Sequence, residues 1–357
     1  MIRYSLIGAT GYVCGELLRL MVNHPQTELM YALDSFGVGE KIQDSHPALR
    51  GFYDKEIIEL NEDNMDLVAE ESDVVFIVVA SGDVSKWGKR VIEKGKILID
   101  IGADIRFRDY RVWQDWYKQE HPDPEFSKNA FYCIPEIHRN DAKGKKLCAN
   151  PGCYPTASSL ALYPLLKEDL IIENTIIIDA KSGFTGAGRK PALNKLLTEA
   201  ENNFCAYSLG GNHRHTPEIE QNIAYICNKD LMDYDSWQKI NFQPHLLPQV
   251  RGIEVSVYAN SKKDISNDEL YDLYNQYYEK ENFVHVYPAS KPVQTKWVYG
   301  TNLCAISPSY DQRTKRFIIS SVIDNIGKGA AGQAIQNMNL LCGLEESTGL
   351  KIPAMYP

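Results

Sequence analysis

The residues of this chain best suited to making and breaking bonds fall in two short segments. The first runs Cys148, Ala149, Asn150, Pro151, Gly152, Cys153, Tyr154, Pro155, Thr156. Asn150, Pro151 and Gly152 spell a tight turn, and residues 157–167 follow as an apolar, helix-like run. Pro155 falls in the first helical turn, where a missing N–H costs little. Cys153 then faces the open amides of a helix start. Those amides and the helix dipole favour a thiolate near neutral pH, and they can hold the oxyanion that forms when a thiolate attacks an acyl carbon. A cysteine at a turn is ordinarily a small buried hydrophobe. Here the surrounding residues point to a nucleophile.

The second segment places His213 and His215 around Arg214, with Thr216, Pro217 and Glu218 behind them. Thr216 is predicted to cap a helix that Pro217 begins, and alternation in an extended stretch turns both histidines to one side. An imidazole with an ordinary pKa near 6.5 can take and return a proton at neutral pH, as addition of a thiol to a carbonyl and collapse of the adduct require. A Cys/His pair of this kind serves acyl chemistry. Metal binding is the weaker reading, because no third ligand lies near. The eight cysteines (14, 133, 148, 153, 205, 227, 304, 342) show no CxxC spacing, so reduced thiols and no metal are expected.

Anions need cations, and two candidate sources stand close to strand ends. Lys181, Ser182, Gly183, Phe184, Thr185, Gly186, Ala187, Gly188 and Arg189 form a glycine-rich loop with a cation at each end, able to approach a phosphate or a nicotinamide. Arg106 follows Asp100 and Asp104; its guanidinium suits a carboxylate or phosphate, or alternatively a salt bridge between domains. A nucleotide turn is predicted at Gly8, Ala9, Thr10, Gly11, Tyr12 and Gly15, which follow a strand and open a helix. The spacing is GxxGxxxG rather than GxGxxG. At the end of the second strand Asp34 suits a free ribose 2′-hydroxyl, as in NAD, whereas Ser35 suits the 2′-phosphate of NADP.

These side chains have to be held by a scaffold, and the hydrophobic pattern describes one. Strand-like runs at residues 28–33, 74–79 and 97–101 alternate with helical stretches at 16–22 and 84–94, which means a Rossmann-type, doubly wound parallel sheet. Residues 106–140 read as irregular. Beyond the cysteine turn, strands at 175–180, 252–258, 303–306 and 316–323, with a charged helix at 267–280, predict an α+β domain with a mainly antiparallel sheet. The boundaries follow as 1–148 for dinucleotide binding and 149–327 for catalysis, with the small-residue C-terminal segment 328–357 packing back on the first domain.

Composition sets the outer limits. The 357 residues are 44% hydrophobic and 24% charged with a net charge of −9, enough apolar content for two cores and no basic face for nucleic acid or anionic membrane. No run approaches a membrane span and the N-terminal residues lack a signal pattern, so a cytoplasmic protein is expected.

The motifs together resemble the N-acetyl-gamma-glutamyl-phosphate reductase family, related in fold to aspartate-semialdehyde dehydrogenase. The resemblance spans nearly the whole chain. It is carried by Gly8 to Tyr12, Asp104 to Arg106, Ala149 to Thr156, Asp179 to Gly183 with Gly186 to Arg189, His213 to Ile219, Gly300 to Asn302, Asp324 with Asn325, and Lys328 to Gln333. It implies Cys153 as the acyl-accepting nucleophile and His213 as acid/base. Arg106, Asn150, His215, Glu218, Lys181 and Arg189 follow as substrate or site-organising residues. NADP is implied in the glycine turn, with Ser182 and Gly183 near the nicotinamide.

The implied reaction is NADPH-dependent reduction of N-acetyl-L-glutamyl 5-phosphate to the 5-semialdehyde through a cysteine thioester, in L-arginine biosynthesis. The implied assembly is a homo-oligomer, dimer or tetramer. The same chemistry on an aminoadipyl or carrier-linked acyl phosphate, as in lysine biosynthesis, is the nearest alternative. A Cys/His hydrolase and a nucleotide-sensing protein fit fewer of the motifs. Two departures stand out. Asp34, Ser35 and Phe36 replace the family's frequent serine followed by a basic residue, which leaves NAD open; Val79, Ala80, Ser81 and Gly82 replace its usual Leu-Pro-His-Gly.

Overall fold

The computed structural model describes residues 1–356, which form two compact units. The first comprises Met1–Pro151 and Ala330–Lys351. Its sheet contains β1 (Ile2–Ile7), β2 (Thr27–Asp34), β3 (Ile57–Glu59), β4 (Val74–Ile77), β5 (Ile97–Asp100), β6 (Phe131–Tyr132) and β7 (Leu147–Ala149) in the order β3-β2-β1-β4-β5-β7-β6. All its pairings are parallel. The four residues of β4 are all fully buried, as a strand covered on both faces requires. The order of connection reverses between β1 and β4, the place where open α/β sheets bind ligands.

Helices α1 (Tyr12–Met21), α2 (Glu62–Glu71) and α3 (Val84–Glu93) cover this sheet. Met65 and Val68 of α2 and Val91 of α3 meet Ile7, Leu33, Val75, Ile77 and Leu98 in one core. Each such fully buried side chain stabilises the fold by roughly 1.5–3 kcal/mol. The segment expected to be irregular is more ordered than its prolines suggest. It holds helices Tyr110–Tyr117 and Pro124–Lys128, each opened by an aspartate cap: Asp109 accepts from the Arg111 amide and Asp123 from the Phe126 amide. Trp113 is fully buried and stacks on Tyr117 at 4.9 Å.

The second unit comprises Gly152–Gly329 and the residues from Ile352 onward. Its strands are β8 (Ile177–Ser182), β9 (Cys205–Ala206), β10 (Asn241–Leu246), β11 (Ile253–Asn260), β12 (Val284–Val286), β13 (Cys304–Asp311) and β14 (Arg316–Ile323), ordered β12-β13-β14-β11-β8-β10-β9. β8 pairs with β10 and β12 with β13 in parallel; the other pairs are antiparallel. Along β8, Ile178, Ala180 and Ser182 are buried while Ile177, Asp179 and Lys181 lie on the opposite, more open face.

The spine of this unit is α4 (Cys153–Lys167), which packs on β11 and β14 and whose residues are nearly all buried. Pro164 stands inside it. A proline there removes the N–H that would bond the carbonyl of Leu160. Tyr278, from α6 (Asn267–Tyr278), donates its hydroxyl to that carbonyl at 2.6 Å, and Tyr274 donates to the neighbouring Ala161 carbonyl at 2.5 Å. The break is thereby repaired from another helix. Helix α5 (Thr216–Ile226) also packs on α4. Thr216 is its first residue rather than its cap; His215 occupies the cap position, and the Thr216 hydroxyl donates to the Gly211 carbonyl at 3.2 Å. In the first unit, α7 (Gly332–Leu341) follows a wider π-type turn at Gly327–Ala331. Among the described residues no helix is long and apolar enough to cross a membrane.

Candidate active site

Cys153 is the first residue of α4, and Gly152 is its cap, in an extended conformation. The turn is pinned from several sides. The Gly152 amide donates to Oε1 of buried Glu218, in the first turn of α5, at 2.7 Å. The Gly152 carbonyl accepts from the Thr156 amide at 3.0 Å and the Thr156 hydroxyl at 2.9 Å. Glu218 thus organises the nucleophile's turn through the backbone.

A second brace comes from a region whose chemistry the sequence did not announce. Asp324 is fully buried: Oδ1 accepts the amides of Ile326 and Gly327, each at 3.0 Å, Oδ2 accepts the Gly300 amide at 2.7 Å, and Oδ2 forms an ion pair with Arg251, whose Nε lies 2.9 Å away. The turn so formed closes with a bond from the Gly329 amide to the Asp324 carbonyl at 2.9 Å. It delivers Gly329 against Cys153, where a Cβ would stand 2.7 Å from the cysteine Cβ.

Cys153, His213 and His215 line one cavity of about 250 Å³, together with Tyr154, Ser182, Gly183, Tyr207, Cys205 and Asn194. The histidines reach it by a turn rather than an extended stretch: the His215 amide donates to Nδ1 of His213 at 3.0 Å, and the two rings lie 4.8 Å apart. Tyr154 and Phe242 meet the His213 ring edge to face at 5.6 and 5.4 Å. The Tyr207 hydroxyl lies 3.5 Å from Nε2 of His213 and 3.2 Å from the Tyr154 hydroxyl. Burial pushes the pKa of His213 down to about 3, helped by the neighbouring His215 and opposed by Glu218. Burial also raises both tyrosines, Tyr207 to about 12, so their hydroxyls stay protonated.

Ser182 and Gly183 lie on the cavity wall, and the Ser182 hydroxyl donates to the Gly183 carbonyl at 2.9 Å. Asn325 holds this loop by donating to the Thr185 hydroxyl at 2.9 Å while accepting from the Gly252 amide at 2.7 Å. Lys181 is turned away. Strand alternation puts it on the other face of the sheet, where an ion-pair network engages the residue expected to bind substrate, 3.0 Å from Glu254 and 3.3 Å from Asp179. Arg189 is exposed on the loop and is not among the cavity-lining residues.

Two more candidates are engaged within the first unit. Asn150 is fully buried, with its side-chain amide donating to the Ala330 carbonyl at 3.1 Å and its oxygen accepting from Asn337 at 2.9 Å, so it braces the end of β7. Arg106, also buried, donates to the carbonyls of Asn150 at 2.9 Å and Ile101 at 3.2 Å. Its neighbour Asp100 is pushed up to about 7 by burial and by Asp104, with Arg106 pulling the other way. Asp104 accepts the amides of Gly82 and Val84 at the start of α3, at 2.8 and 3.2 Å.

The glycine turn after β1 has the shape of a dinucleotide cradle. Gly8 has φ +89°, and a Cβ there would meet the Val78 carbonyl at 2.1 Å, so only glycine fits. Gly11 caps α1 and Tyr12 begins it. His46 Nε2 lies 2.7 Å from the Ala9 carbonyl, and its ring packs on Gly15. Asp34 is committed to the turn itself. Its Oδ2 accepts the Thr10 amide at 2.9 Å and the Thr10 hydroxyl at 2.7 Å, and its Oδ1 accepts the amides of Ser35 and Phe36 at 2.7 and 3.2 Å. Ser35 is exposed beside it. Among the described residues no group of three or more His, Cys, Asp or Glu is placed to hold a metal ion.

Residues 3–145 match the model of the semialdehyde dehydrogenase NAD binding domain, and residues 153–325 match that of the semialdehyde dehydrogenase dimerisation domain. The chain is 43% identical over 356 residues to an N-acetyl-gamma-glutamyl-phosphate reductase of Pelotomaculum thermopropionicum, covering 100% of this chain and 99% of the other. It is 40% identical to the protein of that name in Campylobacter jejuni subsp. doylei, with 98% of each chain covered. Among solved structures, aspartate semialdehyde dehydrogenase II of Vibrio cholerae has a TM-score of 0.69 at 18% identity, covering 96% of this chain and 98% of that one. The Candida albicans aspartate semialdehyde dehydrogenase with NADP has a TM-score of 0.67 at 16% identity, covering the same shares. The solved structures share the fold, while the sequence matches run from end to end, and the chain belongs to the semialdehyde dehydrogenases and, among them, to the N-acetyl-gamma-glutamyl-phosphate reductase family.

Proposed function

We propose that the protein reduces N-acetyl-L-glutamyl 5-phosphate to N-acetyl-L-glutamate 5-semialdehyde with release of phosphate, as an enzyme of L-arginine biosynthesis that uses NADPH. The observation that carries this reading is the shared cavity of Cys153 and His213, walled by Ser182 and Gly183. Cys153 at the start of α4 attacks the acyl carbon, phosphate leaves, and the acyl group is held as a thioester. The helix-start amides favour the thiolate and stabilise oxygen charge in the adduct. His213 faces that adduct across the cavity, and Glu218 and Gly329 fix the position of the sulfur-bearing residue. His215 lines the same cavity and is proposed to face the substrate.

The glycine turn fits a dinucleotide, which when bound supplies the hydride. Gly8, Ala9, Thr10, Gly11, Tyr12 and Gly15 would hold its pyrophosphate at the start of α1. Asp34 already accepts four hydrogen bonds within the turn, which leaves a ribose 2′-hydroxyl without its usual acceptor and favours the 2′-phosphate of NADP beside exposed Ser35. Arg106 is proposed as an organising residue, acting through the carbonyls it binds. The match of residues 153–325 to a dimerisation domain supports a homo-oligomer, dimer or tetramer, which light scattering of the purified protein would measure.

The decisive test is phosphate-dependent oxidation of N-acetylglutamate semialdehyde, run with NAD and NADP in parallel. Reduction of NADP at a rate at least tenfold above NAD is expected, and Cys153→Ala should abolish it while dinucleotide binding persists. Turnover by Cys153→Ala would sink the covalent route, and faster turnover of an aminoadipyl phosphate than of the glutamyl phosphate would reassign the substrate.

A further inference from the structure

Resting on the reductase reading's assignment of Cys153 as nucleophile, we infer that Cys205 is its resolving thiol: oxidation of Cys153 by a peroxide is trapped as a Cys153–Cys205 disulfide, which a dithiol reopens. Both residues line the one cavity. Of the other six cysteines, Cys14, Cys133, Cys148 and Cys304 are buried. Cys227 and Cys342 are half-buried, and burial pushes each thiol up to about 11, which keeps it protonated and unreactive. Cys205 is exposed. A thiol that meets both solvent and the cavity is the one placed to reach an oxidised Cys153.

Cys205 comes to the cavity through the sheet. Its register with Leu246, and that of Leu246 with Ser182, set Ser182, Leu246 and Cys205 in one row across β8, β10 and β9, and all three line the cavity. Tyr207, two residues on, shares the side of the strand that Cys205 presents. Its hydroxyl lies 3.2 Å from that of Tyr154, the residue after Cys153. Burial raises the Tyr207 hydroxyl and the charge of Cys153 adds to the rise, so the strand carrying Cys205 passes within electrostatic reach of the nucleophile. The two ends of the bond differ in freedom. Cys153 is seated by Gly329 and by the bond from the Gly152 amide to Glu218. Cys205 stands on the edge strand β9, which pairs with β10 at two positions, and residues 186–206 are exposed except for half-buried Lys195 and Ala200. A segment with so few buried contacts opens at small cost. A disulfide needs its two Cα atoms within ~7 Å, and β9 is the side that can close on the fixed helix start.

The chemistry balances in two steps. The Cys153 thiolate attacks one oxygen of the peroxide, the O–O bond breaks, and the electron pair leaves with the other oxygen, which takes a proton from water. Sulfur is oxidised by two electrons to the sulfenic acid and the peroxide is reduced. The Cys205 sulfur then attacks the Cys153 sulfur, the S–O bond breaks, and the departing hydroxide takes the Cys205 proton and leaves as water. Two electrons and two protons from an external dithiol restore both thiols. Without a second thiol in reach, the sulfenic acid meets further peroxide and becomes the sulfinic acid, which dithiols do not reduce. The same thiolate character that suits Cys153 to acyl transfer exposes it to this loss.

The test treats the full-length protein with hydrogen peroxide in the absence of substrate and maps its peptides by mass spectrometry without reduction. A peptide pair joined through Cys153 and Cys205 within one chain is expected. Cys153 found as sulfinic acid with Cys205 still a free thiol would overturn the proposal, as would a disulfide to another cysteine or one that joins two copies on a non-reducing gel. Activity gives a second arm, each variant being scored against its own rate before oxidation. After dithiothreitol the wild type should recover most of that rate, whereas Cys205→Ser and Cys205→Ala recover at least about fivefold less because Cys153 has passed to the sulfinic acid. Recovery equal to wild type in both variants would also overturn it. Failure of the reductase reading would show separately, as untreated wild-type protein that does not turn over the semialdehyde, and the peptide map would still be readable.

Discussion

A Cβ placed on Gly329 would lie 2.7 Å from the Cβ of Cys153, closer than two such atoms can approach. The glycine is therefore a seat for the nucleophile. Gly329→Ala is expected to push Cys153 off its position and lower kcat by ~10²-fold, the scale of a 1 Å misplacement, with little change in dinucleotide binding. Steady-state kinetics beside a dinucleotide titration measure both. A wild-type kcat in the alanine variant would show that the turn yields instead.

Asp34 makes a different kind of prediction. If its carboxylate orders the turn through Thr10, then Asp34→Ala loosens the cradle for either dinucleotide and weakens NAD and NADP binding by similar factors, ~10-fold for two charge-assisted bonds. A carboxylate that read the ribose would respond otherwise, with NAD weakened and NADP strengthened. Fluorescence titration with both cofactors separates the outcomes.

Lys181 tests the placement of β8. Lys181→Met should leave KM for the acyl phosphate within about twofold, because the side chain pairs with Glu254 and Asp179 on the sheet face opposite Ser182. The cost falls on stability, about 1 kcal/mol for a partly exposed network. A tenfold rise in KM would return the residue to the site.

Stability should fall as pH drops below about 6.5. Burial holds His213 at about 3 and His138 at about 4, so from about pH 4 to 6.5 the unfolded chain binds a proton at each that the folded chain does not. Asp100, raised to about 7 by burial and Asp104, keeps in the folded state a proton that the unfolded chain has lost. Two against one leaves the unfolded state richer by one proton, a slope of about 1.4 kcal/mol per pH unit. His24 and His285, pushed down by burial, add to it, while Asp104, pushed up, subtracts. His138→Gln removes one of the opposing protons and should flatten the dependence, as urea midpoints at several pH values would show.

How far the residues announced this arrangement depends on the reach of each interaction. Cys153 at a helix start and the glycine turn were legible because both are local: a few consecutive residues set the geometry. The Rossmann-type sheet was legible from strand runs buried on both faces. Alternation from Ser182 places Lys181 on the other face of β8, a pattern that a reading of the loop by its cations alone passes over. For Asn150 and Arg106, expected as substrate or site-organising residues, nothing local shows that Ala330, Asn337 and backbone carbonyls take up their hydrogen bonds. Tyr207 and Gly329 were missed for the same reason, since each reaches its partner through a long-range contact. The bond from the His215 amide to Nδ1 of His213 depends on a two-residue turn that an extended reading of the same segment conceals.

Pro164 and Tyr278 have a consequence for how this enzyme can change over generations. The proline denies the Leu160 carbonyl its helical partner, and the tyrosine supplies another at 2.6 Å. Losing the tyrosine alone orphans a buried carbonyl; losing the proline alone sets two donors competing for it. The two positions should therefore be inherited as a pair, and a lineage that drops one is expected to have dropped the other.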